Sequence, residues 1–310
     1  MKGFVMPVFR QQQIVANLKR RAKVLAAVRR FFAKEGFLEV ETPNRIPAPA
    51  PEAHIEAEPS GSWYLHTSPE LCMKRLLAAG YGRIWQLCKC YRRSERGRRH
   101  LPEMTLLEWY AAGWDYNAMM ASTRDLVRAV MDDACGGSLV CRGRRIDLEG
   151  PWQELTVAEA FRLHAEVSPE QALADGRFDE VMGLVIEPRL GWERPVFLKD
   201  YPAELACLAR LKKDDPAVAE RFELYIAGLE LCNGFSELTD AAEQRERFAA
   251  EQEARKAAGK AVYPPAEPFL RALEDMPPAA GNALGIDRLV MLACDADAID
   301  QVVAFVPEEL

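Results

Sequence analysis

Apolar positions recur at two periods along this chain, and the switches between them lay out the elements. Leu18, Ala22, Leu25, Val28 and Phe32 fall three to four residues apart, which predicts a helix with one buried stripe, ended by Gly36. Leu38 to Val40 then predicts a short strand closed by Pro43, whose missing N–H cannot serve a ladder. Pro47-Ala48-Pro49-Ala50-Pro51 predicts a stiff surface loop. Trp63 to Thr67 predicts a strand, and Ser68-Pro69-Glu70 the start of a helix reaching about Ala79. Ser can cap, Pro suits the first helical position, and Glu favours the positive helix end.

Arg83 to Tyr91 and Met104 to Tyr110 both predict strands, joined through an Arg-rich loop around Gly97 into a long antiparallel hairpin. The stretch 115–221 is mostly helical in pattern and predicts a helical insertion within a single domain spanning 1–310. Phe222 to Ile226 and Leu229 to Glu237 predict two strands meeting at Ala227-Gly228, followed by a polar helix over Ala241 to Ala258. A Gly-rich strand then runs into a helix beginning near Asp287. Strands paired around helices without a regular βαβ alternation indicate an α+β fold, an antiparallel sheet flanked by helices. Neither a Walker A sequence nor a strand-linked GxGxxG is present, so those motifs give no argument for nucleotide binding.

Composition narrows the class. A chain of 310 residues, 49% of them hydrophobic, can bury a substantial core. Its eight cysteines show no CxxC spacing, which predicts reduced thiols in the cytoplasm. Cys88 and Cys90 share a strand face, but a metal there would require ligands that no local spacing supplies. Without a basic start followed by an apolar run, or any long uncharged stretch, the chain is expected to be unexported and to have no membrane partner. The net charge of −7 argues against broad adhesion to nucleic acid. Yet Met1 to Lys34 holds nine Lys or Arg and no acid, either a solvated face or a dock for an acidic macromolecule.

Three stretches carry candidate chemistry. In Arg92-Arg93-Ser94-Glu95-Arg96-Gly97-Arg98-Arg99-His100 the cations suit a solvated or nucleic-acid-facing tip. Glu108 and Tyr110 on the returning strand share a face by period two, and beside a guanidinium they could hold an amine at one end and phosphate at the other. Glu223 to Glu237 places several acids in strands, costly unless cations or a metal pair with them. There Asn233, Phe235 and Glu237 share one parity and Glu230 the other, so a bulge near Gly234 would be needed to unite them. In Gly281-Asn282-Ala283-Leu284-Gly285-Ile286-Asp287-Arg288, glycines permit close backbone approach to a flat ligand and Arg288 could neutralise phosphate.

Taken in order, these stretches resemble the three signature motifs of class II aminoacyl-tRNA synthetases. Phe31 to Pro43 looks like motif one, Tyr91-Arg92 through Glu108-Trp109-Tyr110 like motif two, and Gly281 to Arg288 like motif three. Glu223 to Glu237 is similar to the signature of the lysine branch. The resemblance implies a class II catalytic core that uses ATP and Mg²⁺ to convert a lysine-like amino acid to its adenylate, and a homodimer formed through motif one. It further implies catalytic roles for Arg92 and Arg288, ATP contacts from those two with Glu95, His100, Glu230, Leu231 and Gly285, and metal ligation by Glu223 and Glu230. Ser68, Glu70, Glu108, Tyr110, Asn233, Phe235, Glu237 and Ala283 would line the amino-acid pocket.

Two departures matter. The Arg-x-Glu of motif two reads Arg92-Arg93-Ser94 here, so Glu95 meets the adenine amino group only if the loop shifts, and Leu101 stands where an Asn is common. Before motif one the tRNA synthetases carry an anticodon-binding barrel, for which this sequence has no room. A freestanding core of this kind is similar to the elongation factor P–lysine ligases, and Ala283, where the tRNA enzymes usually have Gly, fits a β-amino substrate. That resemblance implies elongation factor P as acceptor and (R)-β-lysine as substrate, with tRNA disfavoured. A truncated synthetase that charges tRNA or frees lysyl-adenylate, and an inactive regulatory paralogue, are the alternatives.

Overall fold

The structure, a computed structural model, describes residues 9–310. Eight strands form one sheet: β1 (Leu38–Glu39), β2 (Arg83–Tyr91), β3 (Glu103–Ala112), β4 (Gln153–Thr156), β5 (Val196–Pro202), β6 (Val218–Ile226), β7 (Leu229–Ser236) and β8 (Ala279–Gly285). Their order is β1-β2-β3-β8-β7-β6-β5-β4, antiparallel except at the two edges, where β1–β2 and β5–β4 run parallel. The β6–β7 hairpin turns through Ala227 and Gly228, both at positive φ, the pairing that a tight turn between twisted strands requires. This is the expected α+β arrangement.

Helices cover both faces. On one face, α1 (Val15–Lys34), α3 (Tyr116–Cys135) and α5 (Ile286–Cys294) bury Val28, Phe32, Trp85, Trp109, Leu126 and Leu289 in the main core, with Phe32 stacked 4.8 Å from Trp85. On the other, α2 (Glu70–Ala78), α4 (Ala241–Ala257) and a short helix at Glu267–Ala272 pack Met73, Leu77, Phe248 and Phe269 against Ile84 and Tyr110. None of the described helices is long and apolar enough to cross a membrane. All eight cysteines are free thiols.

Several expectations are corrected. The buried stripe of α1 is Val24, Ala27, Val28 and Phe32, whereas Ala22 is exposed. Segment 115–221, expected to be mostly helical, also carries β4 and β5, which complete the sheet edge and whose signal the short helices between them masked. The Pro-rich loop is not wholly at the surface, since Ala48 and Ala50 pack into the second core and Pro51 is buried. Lys2 of the basic N-terminal run lies outside the described residues, and much of the rest is used internally. Arg21 donates to Asp287 at 2.6 Å and to the Thr105 hydroxyl at 2.9 Å, and Arg20 donates to the Ala293 carbonyl at 2.7 Å.

Candidate active site

Antiparallel register aligns side chains in rows across the sheet. Glu108, Ala283, Asn233 and Glu223 lie opposite one another on β3, β8, β7 and β6, and Tyr110, Gly281, Phe235 and Arg221 form the next row. These rows floor a cavity of about 680 Å³ between the sheet and the loops in front of it. A bulge brings Glu230 to the same face, but it lies at Leu231 rather than near Gly234. Leu224 pairs with Cys232 while Tyr225 pairs with Glu230, leaving Leu231 as the extra residue. Gly234 instead packs tightly, a Cβ there falling 2.6 Å from the Phe222 ring.

One end of the cavity is acidic and buried. Glu108 is fully buried and accepts from Ser68 Oγ at 2.6 Å and Tyr110 Oη at 2.8 Å. Burial, with Glu70 adding to it, pushes the Glu108 carboxyl up to about 8, against the pull of those two donors. Burial likewise lifts Glu52, beside Glu70, to about 7. Lys74 Nζ lies 2.5 Å from both Glu70 Oε1 and Glu237 Oε2. Burial works against this ammonium, but the two carboxylates outweigh it and keep it charged. Gly281 is obligatory here, because a Cβ would fall 2.3 Å from the Tyr110 ring and 2.4 Å from Glu237 Oε1.

The other end is cationic. Arg288 Nη1 donates to the Glu230 carbonyl at 2.9 Å and its carboxylate at 3.1 Å, while Nη2 faces His100 Nε2. Burial and the cations Arg288 and Arg92 lower His100 to about 4, so its imidazole is neutral and Nε2 can accept from Arg288. Arg92 lines the same wall, and its buried Nε has no protein hydrogen-bond partner. Ser94, at φ 66°, turns the loop so that Glu95 lines the cavity, 3.9 Å from Arg92. Between the ends, Glu223 accepts from Tyr201 at 2.5 Å, Tyr225 at 2.6 Å and Arg221 at 2.7 Å. Burial and the facing Glu230 still hold its pKa up.

An acidic pocket opposite an arginine-lined one, on a mostly antiparallel sheet, suits a cationic amino acid beside a nucleotide phosphate. The class II tRNA synthetases (D, K and N) match residues 4–309. The chain belongs to that family. Among curated relatives, the elongation factor P–(R)-beta-lysine ligases of Edwardsiella ictaluri and Erwinia tasmaniensis are each 40% identical to it, and that of Salmonella dublin 39%. Each alignment covers 94% of this chain and 95% of the relative.

In this class II synthetase, the residues expected from sequence converge: Ser68, Glu70, Arg92, Glu95, His100, Glu108, Tyr110, Glu223, Glu230, Leu231, Asn233, Phe235, Ala283, Gly285 and Arg288 all line one cavity. Glu237 does not. It lies behind Gly281 and Tyr110, against Lys74. Sequence reasoning missed Lys74, a single cation inside an amphipathic helix, and Glu52, hidden in a Pro-rich loop. The i,i+4 spacing of Glu70 and Lys74 was the one available signal.

Proposed function

We propose that this chain activates (R)-β-lysine with ATP and transfers the β-lysyl group to a lysine of elongation factor P. The observation that carries the reading is the pairing of a buried carboxylate pocket around Glu108 and Glu70 with a guanidinium wall of Arg92 and Arg288 in one cavity. The relatives' shared activity supplies the acceptor.

Glu108, Glu70 and the Tyr110 hydroxyl would hold the amino groups, charge-assisted hydrogen bonds fixing the substrate's direction. Ala283, opposite both Glu108 and Asn233, places its methyl where it narrows the pocket. That suits a shifted amino group. A carboxylate oxygen then attacks the α-phosphorus of ATP, the bond to the bridging oxygen breaks, and pyrophosphate leaves. Arg92 and Arg288 neutralise charge developing on the phosphate oxygens. In the second step the acceptor amine attacks the acyl carbon, AMP departs with the bonding pair, and the amine loses a proton. Glu95 is assigned to the adenine amino group because Ser94's backbone turn presents it to the cavity.

Glu223 and Glu230 fit a hard divalent cation, their like charges opposing each other on the cavity floor. Mg²⁺ held there would supply charge neutralisation at the phosphates. A cytoplasmic homodimer accompanies the reading, supported by Leu38, which is 51% exposed on edge strand β1. Leu38→Asp should shift sedimentation toward the monomer.

Purified protein, ATP, Mg²⁺ and (R)-β-lysine should add one β-lysyl group to elongation factor P by intact mass. ATP–pyrophosphate exchange should favour (R)-β-lysine over α-lysine. An unmodified factor together with charged lysine tRNA would overturn the proposal.

A further inference from the structure

We propose that His66, Cys88 and Cys90 form a binding site for a thiophilic divalent cation of the zinc class, separate from the active-site cavity. Among the described residues, this is the one group of three or more His, Cys, Asp or Glu whose ligand atoms all lie within 4.8 Å of one another. None of the three lines the cavity.

The geometry matches a tetrahedral ion. Cys88 Sγ and Cys90 Sγ are 3.8 Å apart, and Cys90 Sγ is 3.9 Å from His66 Nε2. Bonds of about 2.3 Å to sulfur and about 2.0–2.1 Å to nitrogen would set two sulfurs about 3.8 Å apart and a sulfur and nitrogen about 3.5 Å apart. The thiols therefore already span one tetrahedral edge, and the His66 ring, with its ligating nitrogen within 4.8 Å of both sulfurs, has to move inward to close the other two. Period two on β2 gives the sulfurs a common face. The imidazole comes from a distant segment whose backbone is held on both sides: Tyr91 N–H at the end of β2 donates to the His66 carbonyl at 3.0 Å, and His66 N–H donates to the Asn44 carbonyl at 2.8 Å.

His66 and Cys90 are buried, whereas Cys88 is half-buried, so a fourth ligand, water or an external group, would enter past Cys88. On binding, both thiols release their protons. Nε2, now 2.7 Å from the Lys89 carbonyl, exchanges that hydrogen bond for the metal, the ring proton moving to Nδ1. The ion would fasten β2 to the segment entering α2, two residues before Ser68, which donates to Glu108.

The test uses the full chain, reduced and freed of metal, titrated with Co²⁺ and then Zn²⁺. One Co²⁺ per chain should bind with a sulfur-to-cobalt charge-transfer band, Zn²⁺ should displace it, and two thiols should become protected from alkylation. Cys88→Ser/Cys90→Ser should lose the ion and the band, while Cys72→Ser and Cys294→Ser keep both. Should the double variant fail to fold, Cys88→Ser alone, at the half-buried position, and His66→Gln should each weaken Co²⁺ binding at least tenfold. Absence of stoichiometric binding to the parent chain, or a band that survives in those variants, would overturn the proposal.

Discussion

Glu108 shows how one buried side chain ties recognition to pH. Its pKa is pushed up to about 8 by burial, so below that pH it is neutral and offers an ammonium little attraction. Above it the carboxylate is charged. The KM for the amino acid should therefore fall as pH rises from about 6 to about 8, by up to about tenfold per unit, and a flat profile would refute this role. The sign for stability is opposite. A carboxyl with a raised folded pKa contributes stability at low pH that is lost as pH climbs through about 8. Glu108→Gln should thus make the ligand-free protein more stable toward urea at high pH while abolishing pyrophosphate exchange. Gly281→Ala tests shape instead of charge. Its methyl has no room beside Tyr110 and Glu237, so a loss of about 1–3 kcal/mol in urea unfolding and loss of exchange are expected. Gly97→Ala, with open space around it, should be close to neutral.

At the scale of elements, one charge fastens α2 to the sheet. Lys74 joins Glu70 on its own helix to Glu237, the residue just beyond β7, and all three lie in or beside the acidic pocket. Lys74→Met leaves two carboxylates facing each other without a cation, which should cost about 3–5 kcal/mol in chemical denaturation at neutral pH and less in acid, where they protonate. An equal loss at both pH values would contradict the electrostatic account. Elements were largely legible in sequence: the hairpin around the Arg-rich loop, the β6–β7 turn and the strand entering α5 all form as their patterns predict. The bulge was expected near Gly234 because glycine is the residue that tolerates irregular backbone, whereas uniting Glu230 with Asn233 requires the extra residue to fall between them, where Leu231 lies.

Across the whole molecule, the N-terminal helix is bound to the catalytic floor. Arg21 reaches Asp287 at the start of α5 and Thr105 on β3, so removing it strands a buried carboxylate. Arg21→Ala should cost about 3–5 kcal/mol and impair pyrophosphate exchange, whereas Lys23→Glu, at an exposed position, should leave stability unchanged. If Arg21→Ala were neutral in urea, the helix would be a docking surface rather than a brace. The sequence by itself determined the α+β class and the two hairpins β2–β3 and β6–β7, because periodicity and turn chemistry are local properties of the chain, and its motif order, through the family resemblance, pointed to fifteen of the residues that line the cavity. Only the tertiary structure decided which charges face each other: that Arg21 is spent on Asp287, that Lys74 sits between Glu70 and Glu237, and that His66 meets Cys88 and Cys90. Those pairings join segments far apart in the chain, and their energies depend on burial and on distances that no local pattern encodes.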